Sequence, residues 1–277
     1  GSLAVHGTVN DLAMCGARPL ALSSGLILEE GLPMEDLWRI TRSMAEAARN
    51  AGVPIVTGDT KVVDRGKGDG IFVNVSGVGV VPEGVEVSPR RAAPGDVLLV
   101  SGAIAQHGIA IMALREGLEF GTTVATDSAP LHGMVASLTG ALGRDVHVLR
   151  DPTRGGVASV LNEIAKAAGV GVDVTETAFP IAEEVRGACE ILGLDPLYVA
   201  NEGKLLAFVA RERADEALAV LRANAFGREA AIVGEVTDEH PAKVVLRSRV
   251  GGRRVVDLLT GDQLPRGERL DDIVIGT

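Results

Sequence analysis

Residues 33–61 read PMEDLWRITRSMAEAARNAGVPIVTGDTK, and the hydrophobic period changes inside this stretch. Pro33 presets the first helical φ, Glu35 and Asp36 suit a first turn, and Leu37, Ile40, Met44, Ala47 and Ala48 recur at helical spacing up to Gly52. Beyond the glycine the pattern turns into a short apolar run, Pro54–Thr57, which predicts a buried strand. Gly58-Asp59-Thr60-Lys61 is expected as the polar loop that leaves its carboxyl end. A helix handing over to a strand within a few residues is the unit of α/β and α+β folds.

Working outward, Leu3–Met14 is predicted as a helix closing at Gly16, Leu20–Leu28 as a short strand, and Ile71–Val81 as a long one. Pro82–Pro94 has three prolines and little periodicity, so a boundary near Ser88–Pro94 is expected to divide the chain into residues 1–90 and 91–277. The second part opens with strand Asp96–Val100. Helices are predicted over Ile109–Glu116, Leu131–Leu142, Gly156–Ala168, Ala182–Leu192 and Arg213–Ala223, and strands over Val170–Val174, Leu205–Ala210, Ala231–Val236, Lys243–Leu246 and Val255–Leu258. No repeat of fixed length links them, which excludes a solenoid.

Composition narrows the function. Net charge is −10 in 277 residues, which argues against a sequence-independent grip on nucleic acid or on anionic membrane surfaces. Aromatics make up 3% of the chain, too few for base-stacking platforms. The most membrane-like run, Val97–Leu114, is broken by Ser101, Gly102, Gln106, His107 and Gly108 and reads as strand, glycine loop and helix. Cys15 and Cys189 are far apart, with neither a Cys-x-x-Cys pattern nor zinc-ligand spacing, so a reducing cytoplasm is the expected compartment. The Gly1-Ser2 start lacks the features of a secretory signal, and a segment is expected upstream of it.

Four clusters could carry chemistry. Asn10-Asp11 places an amide and a carboxylate inside an apolar helix, where Asp11 is either a Mg²⁺ ligand or a solvent-facing residue. Gly58-Asp59-Thr60-Lys61 offers backbone donors, a carboxylate, a hydroxyl and a cation, without the spacing of a phosphate-binding P-loop; a surface turn is the alternative. In Arg150-Asp151-Pro152-Thr153-Arg154-Gly155-Gly156 the glycines open a helix N-terminus to an anion and Arg154 adds a planar donor, although an N-capping turn would look the same. Asn201-Glu202-Gly203-Lys204 is a charged loop before a strand, and most such loops are only solvated. His107, His132 and His147 have no nucleophile partner in a recognisable arrangement, and the five methionines read as core fillers.

Taken in order, LAVHGTVNDLAMCGARPLALSSGLILEEGLP, VPIVTGDTKVVDRGKGDGIFVNVSGVGVVPEG, PGDVLLVSG with QHGIAIM, RDPTRGGVASVLNEIA, NEGK and VVDLLTGDQLPR closely resemble the HypE family of hydrogenase maturation factors, from Leu3 to Arg266. That family is part of the aminoimidazole ribonucleotide synthetase-like (PurM-like) ATP-binding superfamily. The resemblance implies a two-domain fold, with an N-terminal α/β domain that dimerises through its sheets, a C-terminal α+β domain, and Mg·ATP in a cleft between them. It also implies the reaction: a carbamoyl group on the thiol of a C-terminal cysteine is dehydrated with ATP to a thiocyanate, the source of the iron's cyanide ligand in [NiFe] hydrogenase. Implied partners are a second copy, a HypF-type carbamoyltransferase and HypC/HypD-type scaffold proteins. On this resemblance Asp11 and Asp59 hold Mg²⁺ and order the phosphates with Asn10 and Thr60 beside them, and Arg154, Gly155 and Gly156 receive phosphate. Lys61 stabilises developing charge, and Glu202 accepts protons.

The sequence departs from the family at both ends. The glycine-rich segment and acidic pair that normally precede Leu3 are not in it, and the family's closing Pro-Arg-Ile-Cys is replaced by Pro265-Arg266-Gly267-Glu268, with Asp271-Asp272 beyond. Neither Cys15 nor Cys189 takes the terminal cysteine's place, since both fall in predicted helices. Two other functions fit the same residues: a different ATP-dependent PurM-like enzyme acting on a small substrate, and a non-catalytic maturation scaffold.

Overall fold

The computed structural model describes residues 1–116 and 125–258. Helix α1 (Ser2–Met14) leads into strand β1 (Arg18–Glu29), helix α2 (Met34–Ala51) and strands β2 (Ile55–Val63) and β3 (Ile71–Val80). These strands form a three-stranded sheet in the order β2-β1-β3, with β1 parallel to β2 and antiparallel to β3. The α2 pattern read from the sequence buries Met44, Ala47, Ala48 and Ala51, and the helix ends where Gly52 adopts a left-handed φ of 66°. Together with Val5 and Val9 of α1 and Leu22 of β1 these residues make the core on one face of the sheet. Among the described residues the opposite face is uncovered, and it carries Ile27, Phe72 and Val78, which are 44%, 48% and 63% exposed.

The second sheet has seven strands in the order β10-β9-β6-β8-β4-β7-β5. They are β4 (Val97–Val100), β5 (Val146–Arg150), β6 (Gly171–Thr175), β7 (Leu206–Val209), β8 (Ala231–Thr237), β9 (Val244–Arg247) and β10 (Arg253–Val255). The helices between them are α3 (Gln106–Glu116), α4 (His132–Leu142), α5 (Gly156–Ala168), α6 (Glu183–Leu192) and α7 (Ala214–Ala223). Strand β4 is an unbroken apolar run because both of its faces are covered. Leu98 and Val100 pack in the core under α5, and Val97 and Leu99 in the core under α4 and α7. Ala13 and Met14 at the end of α1 enter that second core, so α1 belongs to both sheets.

Several expectations are corrected. Gly58-Asp59-Thr60-Lys61 is not a loop: β2 continues to Val63, because Gly58, Asp59, Thr60 and Lys61 pair with Ser24, Gly25, Leu26 and Ile27 of β1. Nor is β2 buried. It is an edge strand, and an edge tolerates polar side chains that a central strand would have to desolvate. Strand β1 is longer than predicted and survives its polar Ser23-Ser24-Gly25 centre through a register shift next to Leu22. Strand β5 went unpredicted, since His147 interrupts its apolar run. His147 Nδ1 lies 2.8 Å from buried Asp96, which gives the polar residue a partner inside the sheet. Helix α3 starts at Gln106 rather than Ile109, placing His107 within it, and Cys15 lies just outside α1, exposed. Leu264–Arg266 and Asp271-Asp272 fall outside the described residues.

Candidate functional site

The Asn201–Lys204 turn is held from several elements at once. Asn201 is 1% exposed, and each of its polar groups is used. Its Oδ1 accepts from Ala105 N at 2.7 Å, and its Nδ2 donates to the carbonyls of Pro152 and Val199, both at 3.0 Å. Its backbone N–H also donates to Pro152 O at 3.1 Å. One amide thereby ties the start of α3 to the turn between β5 and α5. Ala105 holds a positive φ of 72°, unusual for a residue with a Cβ, and the Asn201 bond fixes it there.

Gly203 follows with φ 62°, and a Cβ on it would stand 2.1 Å from Asp127 O and 2.8 Å from Ala129 N. The segment from Ala125 to Leu131 thus lies directly on the turn, and glycine is required for the approach. Lys204, nearly buried, forms an ion pair with Asp127 from that segment, while the other carboxylate oxygen of Asp127 is buried with no partner among the described residues. The same segment is anchored elsewhere: Gln106 Nε2 donates to Ala125 O at 3.0 Å, His107 Nδ1 lies 2.8 Å from Thr126 Oγ1, and His6 Nδ1 lies 3.1 Å from Ser128 Oγ. Burial pushes the pKa of both histidines down, so both favour the neutral ring.

Between these anchors sits Glu202. Burial first, then the carboxylates of Asp151, Asp127 and Asp11, push its pKa up to about 7. Asp11 is raised by burial and by Asp151, against the pull of Arg150. Asp151 is raised by burial, against a backbone hydrogen bond and Arg150. Four separate segments (α1, the Ala125–Leu131 strap, the end of β5 and the Asn201–Lys204 turn) therefore bring acidic groups into one electrostatic neighbourhood. Among the described residues no three His, Cys, Asp or Glu side chains converge on a metal-sized site.

The remaining predicted residues divide. Asn10 is buried and serves the fold: its Nδ2 donates to Ala129 O at 3.0 Å and its Oδ1 accepts from Leu131 N at 2.7 Å, locking α1 to the strap. Gly155 and Gly156 both have left-handed φ, and a Cβ on Gly156 would meet Leu197 O at 2.5 Å, so close packing requires this glycine. The Gly156 N–H is already bonded to Thr153 O at 2.9 Å, while Arg154 is exposed at the turn. Asp59, whose carboxylate caps Thr60 N at 2.8 Å, pairs in register with Gly25, and Lys61 with Ile27, on the uncovered sheet face. Thr60 pairs with Leu26 and points to the opposite face. Asp59 and Thr60 line an open groove of about 520 Å³ with Ser24, whose buried hydroxyl has no partner among the described residues. Among the described residues no hydrogen bond or ion pair joins Asp59 or Lys61 to Asp11 or Glu202.

Sequence reasoning left Asp127 outside every cluster, and within the clusters it singled out it gave no role to Asp151, Asn201 and Lys204. The signal available for the last two was the contiguity of Asn201 and Lys204 with Glu202. Asp127 stood in a stretch, Thr122–Pro130, without periodicity.

The chain matches known proteins over most of its length. The family model for the N-terminal domain of AIR synthase related proteins matches residues 1–81, and that for the C-terminal domain matches residues 93–247. Carbamoyl dehydratase HypE of Azotobacter vinelandii is 56% identical over 266 residues, which are 96% of this chain and 78% of that protein. The crystal structure of hydrogenase maturation protein HypE in complex with ATP superposes with a TM-score of 0.91 at 50% identity, covering 95% of this chain and 80% of that one. A chain from the crystal structure of a HypE–HypF complex superposes at 0.90, also with 50% identity, over 93% of this chain and 84% of that one.

Proposed function

Because this chain belongs to the HypE family of carbamoyl dehydratases, with the PurM-like two-domain fold, we propose that it acts in [NiFe] hydrogenase maturation by dehydrating a carbamoylated cysteine thiol to a thiocyanate with ATP. The observation that carries this reading is Glu202, a carboxyl group pushed up to about 7 inside an acidic neighbourhood on a rigid turn.

An amide oxygen is a poor leaving group. Attack of that oxygen on the γ-phosphorus forms the C–O–P linkage and releases ADP. Loss of both amide protons and breakage of the C–O bond then give R–S–C≡N and inorganic phosphate. A base for those protons works best with a pKa near the working pH, which describes Glu202. Lys61 supplies positive charge to the phosphoryl oxygens as they gain charge. Arg154, at the glycine turn before α5, is placed to receive a phosphate. Mg²⁺, which neutralises phosphate charge when bound, would be held by Asp11 and Asp59, with Asn10 keeping Asp11's helix in place and Thr60 beside Asp59.

Asp59 and Lys61 lie on an uncovered sheet face and lack contacts to Asp11 and Glu202, so the reading assigns them to a site completed by a second copy packed on that face. The exposed Ile27, Phe72 and Val78 support a homodimer there. The carbamoyl group would come from a HypF-type carbamoyltransferase, and HypC/HypD-type scaffold proteins would receive the product. No helix among the described residues is long and apolar enough to cross a membrane, and the cytoplasm is the compartment this role requires. The reading divides the chain at residues 90/91, between β3 and β4.

The direct test offers a carbamoyl-cysteine peptide, ¹³C-labelled at the carbamoyl carbon, with Mg·ATP. A thiocyanate resonance and one phosphate per turnover are expected, and both are lost in Lys61→Ala and Glu202→Ala. ATP hydrolysis without thiocyanate would point instead to a different ATP-dependent reaction.

A further inference from the structure

The position of Glu202 depends on what holds its turn, and two residues outside the catalytic assignment are best placed to hold it. We propose that Asp127 and Lys204 are positioning residues for Glu202: their ion pair clamps the Ala125–Leu131 strap onto the glycine turn and fixes the charge that faces the base. The proposal rests on the reading of Glu202 as that base.

The geometry is specific. Asn201 holds one side of Glu202 through the Pro152 carbonyl and Ala105 N. On the other side, the strap backbone rests on Gly203 closely enough to exclude a Cβ. Gln106, His107, His6 and Asn10 hold the strap at its other points, and the Lys204–Asp127 pair supplies the attraction at the turn itself. The Lys204 stem is confined as well, because a Cβ on Gly102 would stand 3.1 Å from its Cε. Gly102 therefore leaves the room that lets the lysine reach the strap. A surface ion pair would be worth little, but this one is nearly buried on both sides, where screening is weak and removing one partner leaves the other exposed to the full cost of its charge.

The charges acting on Glu202 are Asp151 at the end of β5, Asp127 on the strap and Asp11 on α1; Arg150 at the end of β5 acts on Asp11 and Asp151, while His107 of α3 and Lys204 of the turn adjoin Asp127. Of these, Asp127 and Lys204 are joined to each other, so replacing one changes the field in a direction opposite to replacing the other. Asp127→Asn removes a negative charge from the neighbourhood of Glu202 and leaves Lys204 without its counter-ion. Lys204→Met removes the cation and leaves a negative charge uncompensated.

The experiment is a ¹³C NMR titration of the Glu202 carboxyl in the full chain labelled at glutamate Cδ, without nucleotide, with Glu202→Gln assigning the resonance. The Glu202 midpoint is expected to fall by about 0.3 pH units or more in Asp127→Asn and to rise in Lys204→Met, while Lys204→Arg returns it to the unsubstituted value. Movement in the same direction for the first two variants, or no movement, overturns the proposal. Should Lys204→Met fail to fold, Asp127→Asn and Lys204→Arg decide it: an unmoved midpoint in the former, or a moved one in the latter, overturns it. The titration needs no turnover. Opposed shifts in a chain that makes no thiocyanate would defeat the catalytic reading and leave the electrostatic coupling intact.

Discussion

The pKa of Glu202 makes a stability prediction that does not depend on any substrate. Raised from the ordinary 4.5 to about 7, the carboxyl favours its neutral form in the folded state. An acid of this kind stabilises the fold at low pH, where both states bind the proton. As pH rises from 4.5 towards 7 the unfolded chain releases its proton more readily, and the contribution is lost. At 1.36 kcal/mol per pH unit, the cost of keeping Glu202 above pH 7 is about 3 kcal/mol. Glu202→Gln preserves size and hydrogen-bonding capacity but cannot ionise. The variant is therefore expected to be more stable than the unsubstituted chain by about 3 kcal/mol at pH 8 and by about nothing at pH 4.5, a gap worth several degrees in midpoint temperature. Asp11 and Asp151 are raised too and add to the pH dependence of both proteins, so the difference between variant and parent isolates Glu202. Urea unfolding at the two pH values, followed by circular dichroism, reads it. Equal stabilities at pH 8, or the same gain at both pH values, would show that Glu202 titrates normally and would remove the basis for calling it the proton acceptor.

Other consequences are as direct. Mixing Lys61→Ala with Glu202→Ala after dissociation and reassociation should restore about one quarter of wild-type turnover, because half the dimers are mixed and each holds one intact site of two; no recovery would place both residues in one subunit's site. Gly203→Ala should abolish turnover and lower the midpoint temperature, since its Cβ meets the Asp127 carbonyl at 2.1 Å and its φ is left-handed; unchanged melting would show that the strap yields. Asn201→Ala removes three side-chain hydrogen bonds from the interior and should destabilise by about 2–4 kcal/mol in denaturant unfolding. Asp11→Ala should lose Mg·ATP binding in calorimetry while keeping the fold, since Asp11 is solvent-accessible despite the partial desolvation of its carboxyl and makes no hydrogen bond or ion pair through its side chain among the described residues.

What the sequence discloses follows from range. Helix α2 and its stop are local matters of period, capping and glycine, and Met34–Ala51 lies within a residue of its expected limits. Helices α5, α6 and α7 come out almost as closely, for the same reason. Strand β2 is different. Its residues Gly58–Lys61 have the composition of a turn, and only the parallel partner β1, more than 30 residues earlier in the chain, makes them a strand. Strand β5 likewise needs a distant residue, Asp96, to make His147 acceptable inside a sheet.

The site shows the same division, with one complication that matters for mechanism. Glu202, Asp11 and the DPTRGG turn announce themselves by residue type, but their surroundings come from the strap, which has no local periodicity. Asn10 draws notice in the sequence as an amide next to a carboxylate inside an apolar helix. It is buried because it fastens α1 to Ala129 and Leu131. Helix α1 also contributes Ala13 and Met14 to the core of the second sheet and Val5 and Val9 to that of the first. Asp11 thus sits on the element that both sheets share, while the strap fastened to that element presses on Gly203. A ligand that moved Asp11 by even a fraction of an ångström would pull on the same strap that fixes Glu202. In this fold the group proposed to bind the cation and the group proposed to take the proton are joined through Asn10, whose side chain fastens the helix of the one to the strap that rests on the turn of the other.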